Sequence, residues 1–242
     1  MTRRGLLVLA ALAVTGCSIR DAACGTPRPA ESAAGPGVPE AAARPPSIAD
    51  TGLRVAILGD SLTAGFGLLS EQAYPAELQR LFEGEGYHEV EIVNAGVSGD
   101  TTAGGLRRVA DLLEPGVRIL VIGLGGNDAL RGLTTRETHD NLAETIRIAR
   151  TKGVSVVLCG MEAPTNLGED YRTAFREIYL QLVREHEGAI GFVPFLLEGV
   201  AGNPSLNQAD GIHPNADGAR AIAQAIYPKL RTLVDSFVGG GG

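Results

Sequence analysis

Four short loops in this chain hold the residue types that could do chemistry together. The first is Gly59-Asp60-Ser61-Leu62-Thr63, directly after an apolar run. A serine at a strand-to-helix turn exposes its hydroxyl at a helix N-terminus, where the dipole favours developing negative charge. The plainer reading makes Ser61 a helix cap, which serine also favours. Thr63 stands where a nucleophile elbow needs its second glycine, no Lys stands three residues after Ser61, and no Gly-Lys-Ser/Thr occurs. The elbow of α/β-hydrolases, the Ser-x-x-Lys scheme and a phosphate loop are therefore not indicated.

The second loop is Asn94-Ala95-Gly96-Val97-Ser98-Gly99-Asp100-Thr101, whose glycines let backbone N–H groups approach a ligand closely. The third is Gly123-Leu124-Gly125-Gly126-Asn127-Asp128; its spacing is not that of a dinucleotide fingerprint. Asn127 could present its amide to an oxyanion or merely stabilise a turn. The fourth is Asp210-Gly211-Ile212-His213-Pro214, in which a short span lets Asp210 orient the His213 imidazole toward a serine. No Cys or further His gathers there, so a metal centre is not expected, and no cofactor is either. His88, His139 and His186 lie among polar and charged residues and read as surface histidines. Cys159 closes an apolar run without a partner to activate its thiol, and reads as a buried structural residue. Asp60 and Asp128, each beside a candidate residue, are expected to brace loops; Glu162 and Asn166 are candidate substrate contacts.

Positioning these loops requires strands that end beside them. Leu53–Leu58, Val90–Val93, Arg118–Gly123, Val154–Leu158 and Ile190–Phe195 are short runs that read as buried parallel strands. Between and after them, 74–83, 102–113, 136–152, 170–187 and 216–237 read as helices. The alternation predicts an α/β fold: a three-layer, doubly wound, flavodoxin-like sheet of about five parallel strands with helices on both faces. In such sheets reactive groups gather at the carboxyl ends of strands, and the first three loops sit there.

Gly-Asp-Ser-Leu, Gly99 in Asn-Ala-Gly-Val-Ser-Gly-Asp, Gly-Gly-Asn-Asp and Asp-Gly-Ile-His-Pro resemble the four blocks of the GDSL, or SGNH, hydrolase family. They occur in the family's order over roughly residues 53–237. The run from Leu124 to Gly132 resembles the branch of small bacterial periplasmic thioesterases, lysophospholipases and arylesterases. The resemblance implies Ser61 as nucleophile, His213 as general base and then acid, and Asp210 as its orienting partner. It implies an oxyanion hole from the backbone N–H groups of Ser61 and Gly99 and the Asn127 side chain, with Gly96 as the alternative glycine. The expected substrate is an acyl or aryl ester or thioester, lysophospholipids included. The segment 160–168, beside the acyl groove in relatives, departs from the family pattern, so chain-length preference does not carry over. A carbohydrate O-acetylesterase and a non-catalytic lipid-binding lipoprotein are the competing readings.

The remaining chain reads as address and spacer. Met1–Arg4 carries two arginines, Gly5–Val14 is apolar and too short to span a bilayer as a mature helix, and Val14-Thr15-Gly16-Cys17 looks like a lipobox. Residues 1–17 are therefore expected to be a lipoprotein-type signal with acylation at Cys17, giving a periplasmic, membrane-anchored protein; Ser18 points to the outer membrane. Residues 18–52 read as a linker, since Ala, Pro and Gly fill 16 of the 24 positions from Ala23 to Pro46. The hydrolase domain is placed at 53–238 and a glycine tail at 239–242. The 242 residues carry a net charge of −7, and residues 51–242 hold 16 basic against 24 acidic side chains, or −8. An acidic domain without a basic stripe is not expected to bind nucleic acid. A monomer is the expected state.

Overall fold

The short apolar runs pair into one parallel sheet whose three central strands, Leu53–Gly59, Val117–Gly123 and Ser155–Cys159, are buried on both faces and so need no polar alternation. The computed structural model describes residues 52–239. Cys17, Cys24, the linker up to residue 51 and the tail 240–242 lie outside the described residues. The strands are β1 (Leu53–Gly59), β2 (Val90–Gly96), β3 (Val117–Gly123), β4 (Ser155–Cys159) and β5 (Gly191–Val193), in the order β2-β1-β3-β4-β5. Register runs from Leu53 against Val90 to Gly59 against Gly96, and Gly59 also faces Gly123. Three strands thus end level with one another, which brings their following loops to one edge.

The longer helices are α2 (Tyr74–Gly84), α3 (Thr102–Leu112), α5 (Thr135–Thr151), α6 (Glu169–Glu185) and α7 (Ala216–Val238); α1 (Ser61–Ala64) and α4 (Gly126–Leu130) are single turns. Helix α2 packs beside α7, while α3, α5 and α6 pack in succession. Right-handed crossovers put the pair and the trio on opposite faces. The sheet order reverses at β1, so the crevice between β1 and β3 is the switch point where an open sheet binds ligands. Residues Val55–Leu58, Ile119–Ile122 and Val156–Cys159 form the buried centre of the core.

Two devices fix the sheet's edges. Gln79 of α2 accepts from the Ile92 N–H at 2.8 Å and donates to the Val90 carbonyl at 3.0 Å, occupying the open side of β2. At the other edge the run expected to continue to Phe195 stops at Val193. Pro194 has no N–H to donate, and its carbonyl lies where a Cβ on Gly160 would be 2.1 Å away.

Candidate active site

The first functional loop differs from the sequence expectation in one respect: Asp60, not Ser61, caps helix α1. The Asp60 carboxylate accepts the Leu62 N–H at 3.0 Å. Ser61 becomes the first helical residue, with its hydroxyl left free of the backbone. That hydroxyl lies 3.0 Å from His213 Nε2. Behind it, Thr63 Oγ1 and the Tyr74 hydroxyl share a 2.8 Å hydrogen bond that ties α1 to α2.

His213 reaches Ser61 because its own loop is tightly organised. Asp210 Oδ1 accepts the backbone N–H groups of Ile212 and His213 at 2.9 and 3.0 Å, and Oδ2 meets His213 Nδ1 at 2.6 Å. Three donors on one carboxylate, led by the imidazole, hold Asp210 down at about 2. Asp210 thus stays ionised across the working pH range and fixes the imidazole with Nε2 toward Ser61. Gln208 locks this loop to the next: its N–H donates to the His213 carbonyl at 2.8 Å, and its amide donates to the carbonyls of Phe66 and Pro214. The Phe66 ring then lies over the imidazole, with centroids 4.6 Å apart.

The two glycines of the second loop differ in their surroundings, and the Gly96 N–H is already donated to Asn94 Oδ1 at 2.9 Å. Gly96 is pressed against the helix that follows Ser61: a Cβ there would lie 2.2 Å from the Ala64 nitrogen. Gly99 borders the cleft and has φ of 81°, a conformation that favours glycine. The Gly99 carbonyl accepts Arg131 at 2.6 Å, and Arg108 binds Asp100 at 2.8 Å and the carbonyls of Ala95 and Gly59. These two arginines clamp the glycine loop, and the sequence reading did not single them out. The eight-residue separation of Asp100 and Arg108 carries no motif.

Asn127 enters from α4 at the end of β3. Its Nδ2 donates to Asp60 Oδ2 at 3.1 Å, which leaves one amide hydrogen for a ligand. Neither the Ser61 nor the Gly99 backbone N–H finds a hydrogen-bond acceptor among the described residues. Three donors of this kind beside a histidine-paired serine can stabilise a tetrahedral oxyanion. Burial pushes the Asp60 carboxyl up to about 6, opposed by the Leu62 N–H and the Asn127 amide. Asp128 is buried too, but turns away from the cleft to accept the Thr102 N–H at 2.9 Å and the hydroxyls of Thr102 and Thr138.

The site opens on a cleft of about 550 Å³ whose walls are mainly apolar, among them Phe66, Leu130, Met161, Phe195 and Ile212. Glu162 lines it and pairs with Arg176 at 3.0 Å; Asn166 is not among its lining residues. Cys159 is fully buried at the end of β4 with its thiol pushed up to about 12, which leaves it inert as a nucleophile. His88 is exposed, whereas His139 and His186 are half-buried. His139 contacts Asp140 and Glu185, and His186 meets Arg150 at 2.9 Å.

A fold of this topology with a Ser-His-Asp relay at its switch point belongs to a recognised class of hydrolases. The model of the GDSL-like lipase/acylhydrolase family matches residues 57–221; the chain belongs to that family and is a hydrolase acting on ester bonds. Among curated relatives it is 41% identical to Esterase TesA of Pseudomonas aeruginosa over 179 residues, covering 74% of this chain and 88% of that one. It is 36% identical over 180 residues to the thioesterase 1/protease 1/lysophospholipase L1 of Escherichia coli K12, covering 74% and 84%. The solved structure titled "Crystal Structure of TesA" superposes with a TM-score of 0.70 at 40% identity, covering 74% of this chain and 99% of that one.

Proposed function

We propose that the protein is an exported serine esterase that releases the acyl group of carboxylic esters or thioesters, lysophospholipids among them, through an acyl-enzyme at Ser61. The reading rests above all on the relay Asp210–His213–Ser61, with contacts of 2.6 and 3.0 Å, opening on an apolar cleft. The names of the relatives, an esterase and a thioesterase/lysophospholipase, support the same chemistry.

Ser61 Oγ attacks the carbonyl carbon while His213 Nε2 takes its proton. Negative charge moves onto the carbonyl oxygen, where the Ser61 and Gly99 N–H groups and the free Asn127 hydrogen receive it. His213, stabilised as imidazolium by ionised Asp210, then protonates the leaving oxygen or sulfur. Water then attacks the acyl carbon and gives a proton to His213, and as the C–Oγ bond breaks His213 returns that proton to Ser61 Oγ and the acid leaves. Oxyesters and thioesters pass through the same oxyanion. The apolar walls favour an acyl chain over a sugar, which sets this reading above an O-acetylesterase.

Residues 1–17 act as the export signal in this proposal, with Cys17 acylated and residues 18–52 as the tether. Cys17→Ala should abolish labelling by a radioactive fatty acid; labelling that persists would remove the anchor. The activity is tested by kcat/KM on p-nitrophenyl esters from acetate to palmitate, beside Ser61→Ala. A Ser61-dependent rate that peaks at medium or long chains is expected. A rate confined to acetate would move the substrate to a deacetylated polar molecule, and a rate that survives Ser61→Ala would overturn the mechanism.

A further inference from the structure

The described residues expose seven large hydrophobic side chains, and five of them, four on loops and Leu130 at the end of α4, lie at the carboxyl edge of the sheet, where the cleft opens. These are Phe66 (51% exposed), Leu69 (62%), Val97 (48%), Leu130 (58%) and Ile212 (52%). Single exposed apolar residues need no explanation, but five gathered at one edge of the sheet, three of them at one opening, mark a contact surface. Phe66, Leu130 and Ile212 line the cleft itself, so a bound acyl chain can cover part of them. Leu69 and Val97 are not among the lining residues, so a substrate held inside the cleft leaves them in water. The rim is therefore wider than the substrate needs.

We propose that this rim docks the catalytic domain, mouth down, on a lipid surface, so that an acyl ester passes from the bilayer into the cleft without crossing water. The inference rests on the esterase reading for its purpose and on the proposed acylation of Cys17 for its tether, but on neither for the geometry of the rim. Charge argues for the kind of surface: residues 51–242 carry −8, which repels anionic headgroups and leaves a zwitterionic lipid such as phosphatidylcholine. The point where the chain enters the domain argues for reach. Leu53 begins β1 at the amino edge, and the seven residues of β1 put the mouth about 20 Å away at the opposite edge. A domain held close to a membrane by that end would present its mouth to water. The 35 residues from 18 to 52 can extend to at most about 120 Å, enough for the domain to turn over and face the surface to which Cys17 belongs.

The sequence contains no tryptophan, so a single introduced one reports its own surroundings. The test uses the full acylated chain on phosphatidylcholine vesicles with brominated acyl chains, in a Ser61→Ala background so that no turnover intervenes. Leu69→Trp and Val97→Trp should each shift emission to the blue and be quenched by bromine. His88→Trp, in the exposed turn that precedes β2, should do neither although the same anchor holds it. Rim tryptophans that stay unquenched while the protein is vesicle-bound would mean anchoring alone and would overturn the proposal. Equal quenching at all three positions would overturn it too, as would a blue shift in solution that follows protein concentration, which would assign the rim to a second copy.

A kinetic arm uses Leu69→Ser and Val97→Ser with Ser61 intact. Each should lower hydrolysis of a long-chain ester embedded in the vesicles by about tenfold, from the apolar transfer energy lost. Hydrolysis of a water-soluble p-nitrophenyl butyrate should be unchanged. A parallel loss on both substrates would overturn docking. Absent hydrolysis of the soluble ester by the parent protein would strike the esterase reading instead, and would leave the fluorescence result standing.

Discussion

Asp60, next to Ser61, and Asp210, bonded to His213, serve the same Ser61–His213 pair, and their surroundings push them in opposite directions. Asp210 lies in an exposed loop, faces three hydrogen-bond donors and is held at about 2. Asp60 is buried in the Ser61 loop, faces two donors and is raised to about 6. The number of donors and the access of water, not the residue type, decide which carboxylate is a permanent anion and which can gain a proton. Asp210 therefore supplies fixed charge to the imidazole. Asp60 supplies geometry, since through one carboxylate it holds both the start of α1 and the Asn127 amide.

Of the two carboxylates, Asp210 carries the larger effect, and Asp210→Asn should show it. It keeps the loop's shape but removes the charge and admits the wrong imidazole tautomer, so kcat should fall by about 10⁴. Steady-state kinetics on a p-nitrophenyl ester checks it, and a loss below tenfold would mean that another group carries the imidazolium. Asn127→Ala removes one oxyanion donor and should lower kcat by about 10²–10³ with little change in KM.

Asp60→Asn is the sharper probe of the comparison. Asparagine still caps α1, but its amide opposes that of Asn127, so kcat at pH 8 should fall by about tenfold or more through lost positioning. In the wild type, protonation of Asp60 Oδ2 breaks the same contact, so the acid limb of kcat/KM should contain an ionisation near 6 that Asp60→Asn lacks. Identical pH profiles would make Asp60 merely structural. The double variant Asp60→Asn/Asn127→Ala should lose little more than Asn127→Ala alone, because both act through one amide.

Stability separates the two aspartates with a smaller signal. The folded state raises Asp60 above its ordinary 3.8, so between about pH 4 and pH 6 the native protein binds more protons than the unfolded chain. Stability from this group is full below that window and falls as pH rises through it, by about 2–3 kcal/mol. Asp210 runs the other way: its contribution is present above about pH 4 and is lost as pH falls toward 2. Urea titrations from pH 4 to 8 should show Asp60→Asn flattening the first slope, and an unchanged slope would contradict the raised carboxyl.

Much of this arrangement was legible in the sequence. The strands read as continuous apolar runs, and their ends put the loops of Ser61, Gly99 and Asn127 at one edge. Motif order then supplied Asp210 and His213. What stayed hidden depends on contacts between distant segments. Adjacent Asp60 and Ser61 are both competent caps, and only the position of His213 shows why the hydroxyl must stay free. Arg108 reaches Gly59 across 49 positions, and Gln208 reaches Phe66 across 142, so no local pattern announces either. The difference between Gly96, whose N–H is held by Asn94, and Gly99, which borders the cleft, is likewise visible only in the folded chain.

The central claim is that Ser61 forms the covalent intermediate, and trapping it is the most direct test. The protein would be treated with an organophosphonate ester, digested, and its peptides mapped by mass spectrometry. The expected result is one adduct, on Ser61, absent from Ser61→Ala and formed far more slowly in Asp210→Asn. An adduct on any other residue, or one that persists in Ser61→Ala, would contradict it.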